Sequence, residues 1–165
     1  MEIETAKLSQ SWVLWYHDPE NKDYSIRGYS KIADVQTPQQ FWSIVEAIPQ
    51  NAWESGMFFF MKQGILPIWE DVQNENGGTW SKKIEASTTY DTFIELMVHC
   101  MAEELLLTRK DTLVGVTVSP KGPFSIIKIW NNTTTIFKNS AINSQIECFK
   151  IADDVVYTPH KTRPK

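Results

Sequence analysis

Gly64-Ile-Leu-Pro-Ile-Trp-Glu-Asp71, followed by Gly77-Gly78 and Thr79-Trp80, is the stretch from which the rest of the chain can be read. Glycine and proline bound it as a turn, and within that turn an indole stands directly before two carboxylates. An indole face attracts a delocalised positive charge through its quadrupole, worth roughly 0.5 to 2 kcal/mol depending on desolvation. A carboxylate accepts two parallel N–H bonds, and charge-assisted bonds are about twice as strong as neutral ones. Trp69 and Glu70 together therefore suit a flat, cationic ligand with donors along one edge. The same residues also occur where a strand ends with a packed indole and solvated acids, so the surroundings decide between the two readings.

A purine methylated at N7 meets both requirements. The methyl group makes the ring cationic, while N1–H and N2–H of guanine stay on one edge. The composition permits such a ligand and excludes several other classes. The chain has 165 residues and 42% hydrophobic content, enough for one domain with a real core. Aromatic residues make up 12%, with seven tryptophans, which serve either an aromatic core or platforms on which bases stack. The net charge of −4 argues against general nucleic-acid or DNA binding, which draws on basic side chains facing phosphates, so any such contact must be local.

Cys100 and Cys148 have neither zinc-ligand spacing nor the pattern of a disulfide framework, and read as free thiols in a reducing compartment. No run approaches the ~20 apolar residues of a membrane span, and Met1-Glu-Ile-Glu4 is acidic where a signal peptide is basic and then apolar. A cytoplasmic monomer with no membrane contact is expected. There is no nucleophile motif, metal-ligand spacing or glycine-rich phosphate loop. No catalytic residue, metal or cofactor is expected, and the scattered His17, His99 and His160 read as satisfied or solvated. Glu70-Asp71 is a poor acid/base pair, because neighbours on a strand point to opposite faces.

Working outward, Gln10 to His17 reads as a strand apolar on both parities, Asp18 to Asp23 as a turn and Tyr24 to Ile32 as the returning strand. Thr37-Pro-Gln-Gln40 opens a helix with an N-cap, proline at the first position and a capping box. Phe41, Ile44, Val45 and Ile48 form its inward face, Trp42 lies at the edge of that stripe, and Pro49 ends the helix. Met57 to Lys62 and Thr79 to Ile84 read as strands. A long helix begins near Thr88 or Thr89, with Tyr90, Phe93, Ile94, Met97, Val98, Met101 and Leu105 on one apolar stripe. Leu113 to Ser119 and Phe124 to Trp130 are strands joined by a turn at Pro120-Lys-Gly-Pro123. In the second of these, Ile127 and Ile129 share one face while Lys128 and Trp130 share the other, an unusual pair for a face that only covers a core. Ile142, Ile146 and Phe149 predict a third helix over 140–150, and Val155 to Thr158 a short strand. Antiparallel strands with about three interspersed helices make the fold α+β. One domain is expected over 10–160, between a flexible tail at 1–9 and a basic tail at 161–165.

Trp12-Val-Leu-Trp15, Ser30-Lys-Ile32, Phe41-Trp42, the Gly64–Asp71 stretch, Gly77-Gly78-Thr79-Trp80, Gly115-Val-Thr-Val118 and Lys128-Ile-Trp130 stand in the order and approximate spacing of one family. In these residues the chain resembles the eukaryotic translation initiation factor 4E family, which binds the mRNA cap. The resemblance implies a strongly curved antiparallel sheet with helices on its convex face and the ligand in its concave side. It implies Trp69 as one face of an aromatic sandwich around N7-methylguanosine, Glu70 as the acceptor for its N1 and N2 hydrogens, and Trp130 against the N7 methyl group. It also implies a partner surface at Trp42, Leu8 and Glu95 that receives a helix from a scaffold or regulatory protein.

The chain departs from the family in three places. Tyr24, with Tyr16 as the alternative, stands in for the second tryptophan of the sandwich. Thr79, Pro123 and Ile126 occupy phosphate-contacting positions that are usually basic. Of that basic set Lys121 is retained, with Lys128, and further out Lys161 and Arg163, as replacements. On the partner surface Ala6-Lys7-Leu8 replaces the histidine-proline-leucine type motif, Pro38 replaces a valine, and Glu95-Leu96 reverses a leucine-glutamate pair. Two functions follow: a cap-binding factor that recruits capped mRNA to translation, or a cap-deficient interaction protein on the same scaffold acting as a repressor or decoy.

Overall fold

The computed structural model describes residues 6–151 and 153–162. Its chain order is β1 (Trp12–His17), β2 (Tyr29–Val35), α1 (Pro38–Ala47), α2 (Gln50–Ser55), β3 (Met57–Lys62), β4 (Gly78–Glu85), α3 (Thr89–Met101), β5 (Leu113–Pro120), β6 (Phe124–Asn131) and β7 (Val156–Pro159). All seven strands join one antiparallel sheet in the order β2-β1-β3-β5-β6-β4-β7. Register shifts at Leu14/Trp15 and Leu113/Gly115 put bulges into β1–β2 and β5–β6. Bulges bend a strand and increase its twist, which helps give the α+β fold its curved sheet.

The pleat sorts the apolar residues into two layers. Trp12 and Leu14 of β1, Phe58 and Phe60 of β3, Val116 and Val118 of β5, and Ile127 and Ile129 of β6 face the helices. There they meet Phe41 and Val45 of α1, Trp53 of α2 and Phe93, Leu96 and Met97 of α3. The opposite face carries a smaller cluster of Phe59, Met61, Ile65, Val114 and Trp130, with Trp15, Tyr29, Met57 and Trp69 packed against it. The parity expected for β6 is the parity observed.

Local chemistry sets the element boundaries. Thr37 Oγ1 accepts from the Gln40 N–H at 3.1 Å, and Gln40 Oε1 reaches back to accept from the Gln36 N–H at 2.7 Å, closing the N-terminus of α1. Pro49 ends that helix as expected, but it also serves as N-cap of α2, a short helix that the sequence pattern does not announce and that buried Trp53 anchors. β2 starts at Tyr29 rather than Tyr24. The Asp23 carboxylate accepts from both the backbone and the hydroxyl of Ser25, and residues 26–28 form a 3-10 turn.

The helix expected over 140–150 is absent. Two single 3-10 turns, Asn139–Ala141 and Glu147–Phe149, stand there instead. Leu106 and Ile142 form a β-bridge, and the N–H groups of Leu107 and Asn143 donate to Ala141 and Leu105. The Asn143 side chain also bonds Glu104 and Gln145, competing with a helical backbone. Ile142, Ile146 and Phe149 are buried all the same, so the apolar spacing recorded burial and not helix. Leu105, placed by its spacing on the stripe of α3, is buried beyond the end of that helix. At the start of the chain Leu8 packs on the core and donates its N–H to Gln36 at 2.8 Å. Residues 1–5 and 163–165 of the expected tails lie outside the described residues.

Candidate functional site

The 64–74 loop is pinned from within. Gly64 enters it at φ +89°, a left-handed conformation that favours glycine. Asp71 turns its carboxylate back to accept from the Leu66 N–H at 2.9 Å and the Gln73 N–H at 2.8 Å. The fully buried Asn74 amide donates to the Leu66 and Ile68 carbonyls at 2.9 and 2.8 Å. These side chains give the turn the ladder it lacks, and they hold Trp69 and Glu70 over the hollow face of the sheet.

A cavity of about 290 Å³ opens there. Trp69, Glu70 and Pro67 form one wall, Tyr24 and Tyr29 another, and Trp130, Phe59 and Thr117 line it from the sheet. Lys128 and Ser119 complete the polar lining. Trp130, 7% exposed, donates its indole N–H to Thr117 Oγ1 at 3.4 Å and is backed by the His160 ring at 5.1 Å. Tyr24 is half exposed and lies flat against His17, with ring centroids 4.6 Å apart and planes 3° from parallel. His17 Nε2 lies 2.8 Å from the Asp23 carbonyl, and the ring meets Tyr29 edge-on at 4.7 Å. Burial first, then the Glu70 charge and Tyr24, push the Tyr29 phenol up to about 12, so it is neutral at physiological pH. Aromatic faces, one carboxylate and one ammonium share the cleft, a set that stacks a flat ring, accepts from its edge and meets an anionic tail.

Of the residues singled out in the sequence, Tyr24, Trp69, Glu70, Lys128 and Trp130 come together here. Lys121 does not line the cleft. It is exposed in the β5–β6 turn, its N–H donating to Phe124 at 2.9 Å. Tyr16 is on the helix side of the sheet against Phe58 at 5.3 Å, which removes it as the alternative stacking ring. Sequence reading alone misses Tyr29, hidden within a strand begun too early, and Thr117 and Ser119, whose alternation with the core valines Val116 and Val118 could have exposed them. It also misses the place of His160, the last residue of the expected domain, which is fully buried. Among the described residues no group of three or more His, Cys, Asp and Glu is placed to hold a metal.

On the helix face, Trp42 is 48% exposed and shares an apolar groove with Leu8, Pro38, Val98 and Met101. Glu95 lies outside that groove and accepts from the Glu147 N–H at 3.3 Å.

The model of the family described as eukaryotic initiation factor 4E matches residues 7–165. The chain belongs to the eukaryotic initiation factor 4E family. Among its family relatives, eukaryotic translation initiation factor 4E-2 of Schizosaccharomyces pombe is 29% identical over 134 residues, 78% of this chain and 54% of that protein. The chain thus spans about half the length of that relative. Eukaryotic translation initiation factor isoform 4E-2 of Zea mays is 26% identical over 165 residues, covering 93% of this chain and 74% of the relative. The family fold is shared with C. elegans eIF4E-3, solved in complex with the 4E-binding protein Mextli and a cap analog. That structure matches at a TM-score of 0.79 and 22% identity, over 98% of each chain.

Proposed function

We propose that this chain binds the N7-methylguanosine cap of mRNA and brings capped transcripts to translation initiation in the cytoplasm. The observation that carries this reading is the convergence of Trp69, Glu70, Tyr24 and Trp130 on one cavity in the hollow face of the sheet. The methylated base lies between the Trp69 and Tyr24 rings, its N1 and N2 hydrogens on the Glu70 carboxylate and its methyl group toward Trp130. Lys128 meets the phosphates. Binding is the whole activity, with no covalent step. Family membership and the cap analog held by the nematode relative support the same ligand, and a cap-deficient decoy would have no use for an open cleft lined by these groups.

The groove at Trp42 suits an apolar helix edge from a regulatory protein, in keeping with the 4E-binding protein carried by that relative. Quenching of tryptophan fluorescence by 7-methyl-GTP, with GTP as control, tests the cap reading. Saturable quenching by the methylated nucleotide at concentrations where GTP has no effect is expected. Equal quenching by both would remove the cation as the basis of recognition.

A further inference from the structure

A second cavity, about 400 Å³, lies on the helix side of the sheet where β1 begins, β3 ends and α3 runs out. Its apolar walls come from Leu106, Leu113 and the ring of Trp12, all part of the main core. Trp12 and Lys62 are direct cross-strand partners in β1 and β3, so their side chains leave the same face of the sheet. The Lys62 ammonium is partly buried, and its hydrogen bond is a 3.5 Å contact with the Asp111 carbonyl, at the weak end of the range. Burial lowers its pKa and outweighs the nearby Glu103 and Asp111 carboxylates, which act to raise it. The Trp12 indole N–H is also buried and has no hydrogen-bond partner among the described residues. Lys110 adds a second positive charge to the lining.

Among the described residues neither carboxylate at this cavity forms a salt bridge with Lys62. Asp111 takes the Arg109 guanidinium at 3.3 and 3.4 Å, and Glu103 accepts from Ser9 Oγ at 2.8 Å. What remains is a partly buried ammonium with one long hydrogen bond beside an apolar wall, in a space the size of a small-molecule site.

We propose that this cavity binds a small organic acid, its carboxylate on the Lys62 ammonium and its apolar body against Leu106, Leu113 and Trp12. The site is separate from the aromatic cleft and does not depend on the cap reading.

Titration of the ¹⁵N-labelled protein with phenylacetate, followed through the indole N–H resonances, tests it, with neutral phenylacetamide as the matched probe. A saturable shift of the Trp12 resonance is expected with the acid. Lys62→Met should weaken that binding about tenfold or more, as loss of a charge-assisted bond requires, and Lys62→Arg should restore most of it. Unchanged amide resonances away from the cavity in both variants report that they are folded. A Trp12 resonance that does not move, a response to the amide equal to that of the acid, or undiminished binding by Lys62→Met would each overturn the proposal.

Discussion

The rings of His17 and Tyr24 lie face to face, 4.6 Å between centroids and 3° from parallel, with His17 fully buried behind the tyrosine. Tyr24 sits in a turn and would have little to fix it without that support. His17 is fixed in turn by the Asp23 carbonyl and by the edge of Tyr29. An aromatic pair contributes roughly 0.5 to 1.5 kcal/mol beyond its buried area. His17→Ala should therefore weaken 7-methyl-GTP binding by about two- to tenfold through a looser Tyr24, whereas His17→Phe should keep most of the affinity. Fluorescence titration of the two variants checks this, and equal losses in both would show that the ring pair does not position Tyr24.

Glu70 is exposed and carries the negative charge of the cleft. Glu70→Gln keeps an acceptor oxygen but loses the charge, and it turns an N–H donor toward the donors of the base. Hydrogen bonds to charged groups are worth about 1.5 to 3 kcal/mol, so affinity for the methylated nucleotide should fall by about ten- to a hundredfold. Because the variant is a surface change, the thermal midpoint should stay within about 1 °C of the parent.

Lys128 supplies the positive charge among the described residues that line the cleft. Lys128→Ala should lower affinity for 7-methyl-GTP while leaving 7-methylguanosine, which has no phosphate, nearly unaffected. It should also weaken the salt dependence of 7-methyl-GTP binding, because one screened charge pair is lost. Unchanged triphosphate affinity would show that the phosphates are held elsewhere.

The Tyr29 phenol, pushed up to about 12 by burial, the Glu70 charge and Tyr24, is neutral through the physiological range. Its folded value lies above the ordinary value of 10, so it favours the folded state below pH 10, and that contribution is lost as pH rises from 10 toward 12. Burial also raises Tyr16 and Tyr157, so a spectrophotometric titration should show several late tyrosines, of which the step near 12 is absent in Tyr29→Phe. The stability of Tyr29→Phe should fall less steeply than that of the parent above pH 10.

Much of this was legible in the sequence because alternation along a strand is a strict rule. Ile127 and Ile129 against Lys128 and Trp130 announce two faces with different duties, and the sheet keeps that parity. The Trp69-Glu70 pair offers an indole face beside a carboxylate, and the structure sets that pair at a cavity. The 140–150 segment misleads because apolar residues spaced three and four apart record burial without recording hydrogen bonding, and Asn143 diverts the backbone into a bridge with 105–107. His160 and Tyr29 enter the site through long-range contacts with Trp130 and His17, which local spacing does not encode.

Asn74 likewise looks in the sequence like one more polar loop residue, yet it is the buried member of the network that shapes the candidate site. Its amide donates to two carbonyls, Leu66 and Ile68, on the stretch that leads into Trp69. Asn74→Ala removes the side-chain donor of the Leu66 carbonyl and leaves the Ile68 carbonyl with the Asp71 N–H at 3.3 Å, at a cost of about 1 kcal/mol for each hydrogen bond lost. Part of that cost can be escaped by letting the loop open toward water, which moves Trp69 and Glu70 away from Tyr24. The variant should therefore lose cap affinity although Asn74 is not among the residues lining the cleft, and amide exchange should speed up across 65–74 with β5 and β6 unchanged. By contrast Asn131→Leu removes the buried acceptor of the Gly78 N–H and the Tyr157 hydroxyl at the β4–β6 junction. It should lower global stability in urea, by about 2 kcal/mol or more. A loss of affinity in Asn74→Ala without faster exchange in the loop would mean that Asn74 acts on the ligand by some other route than holding the turn.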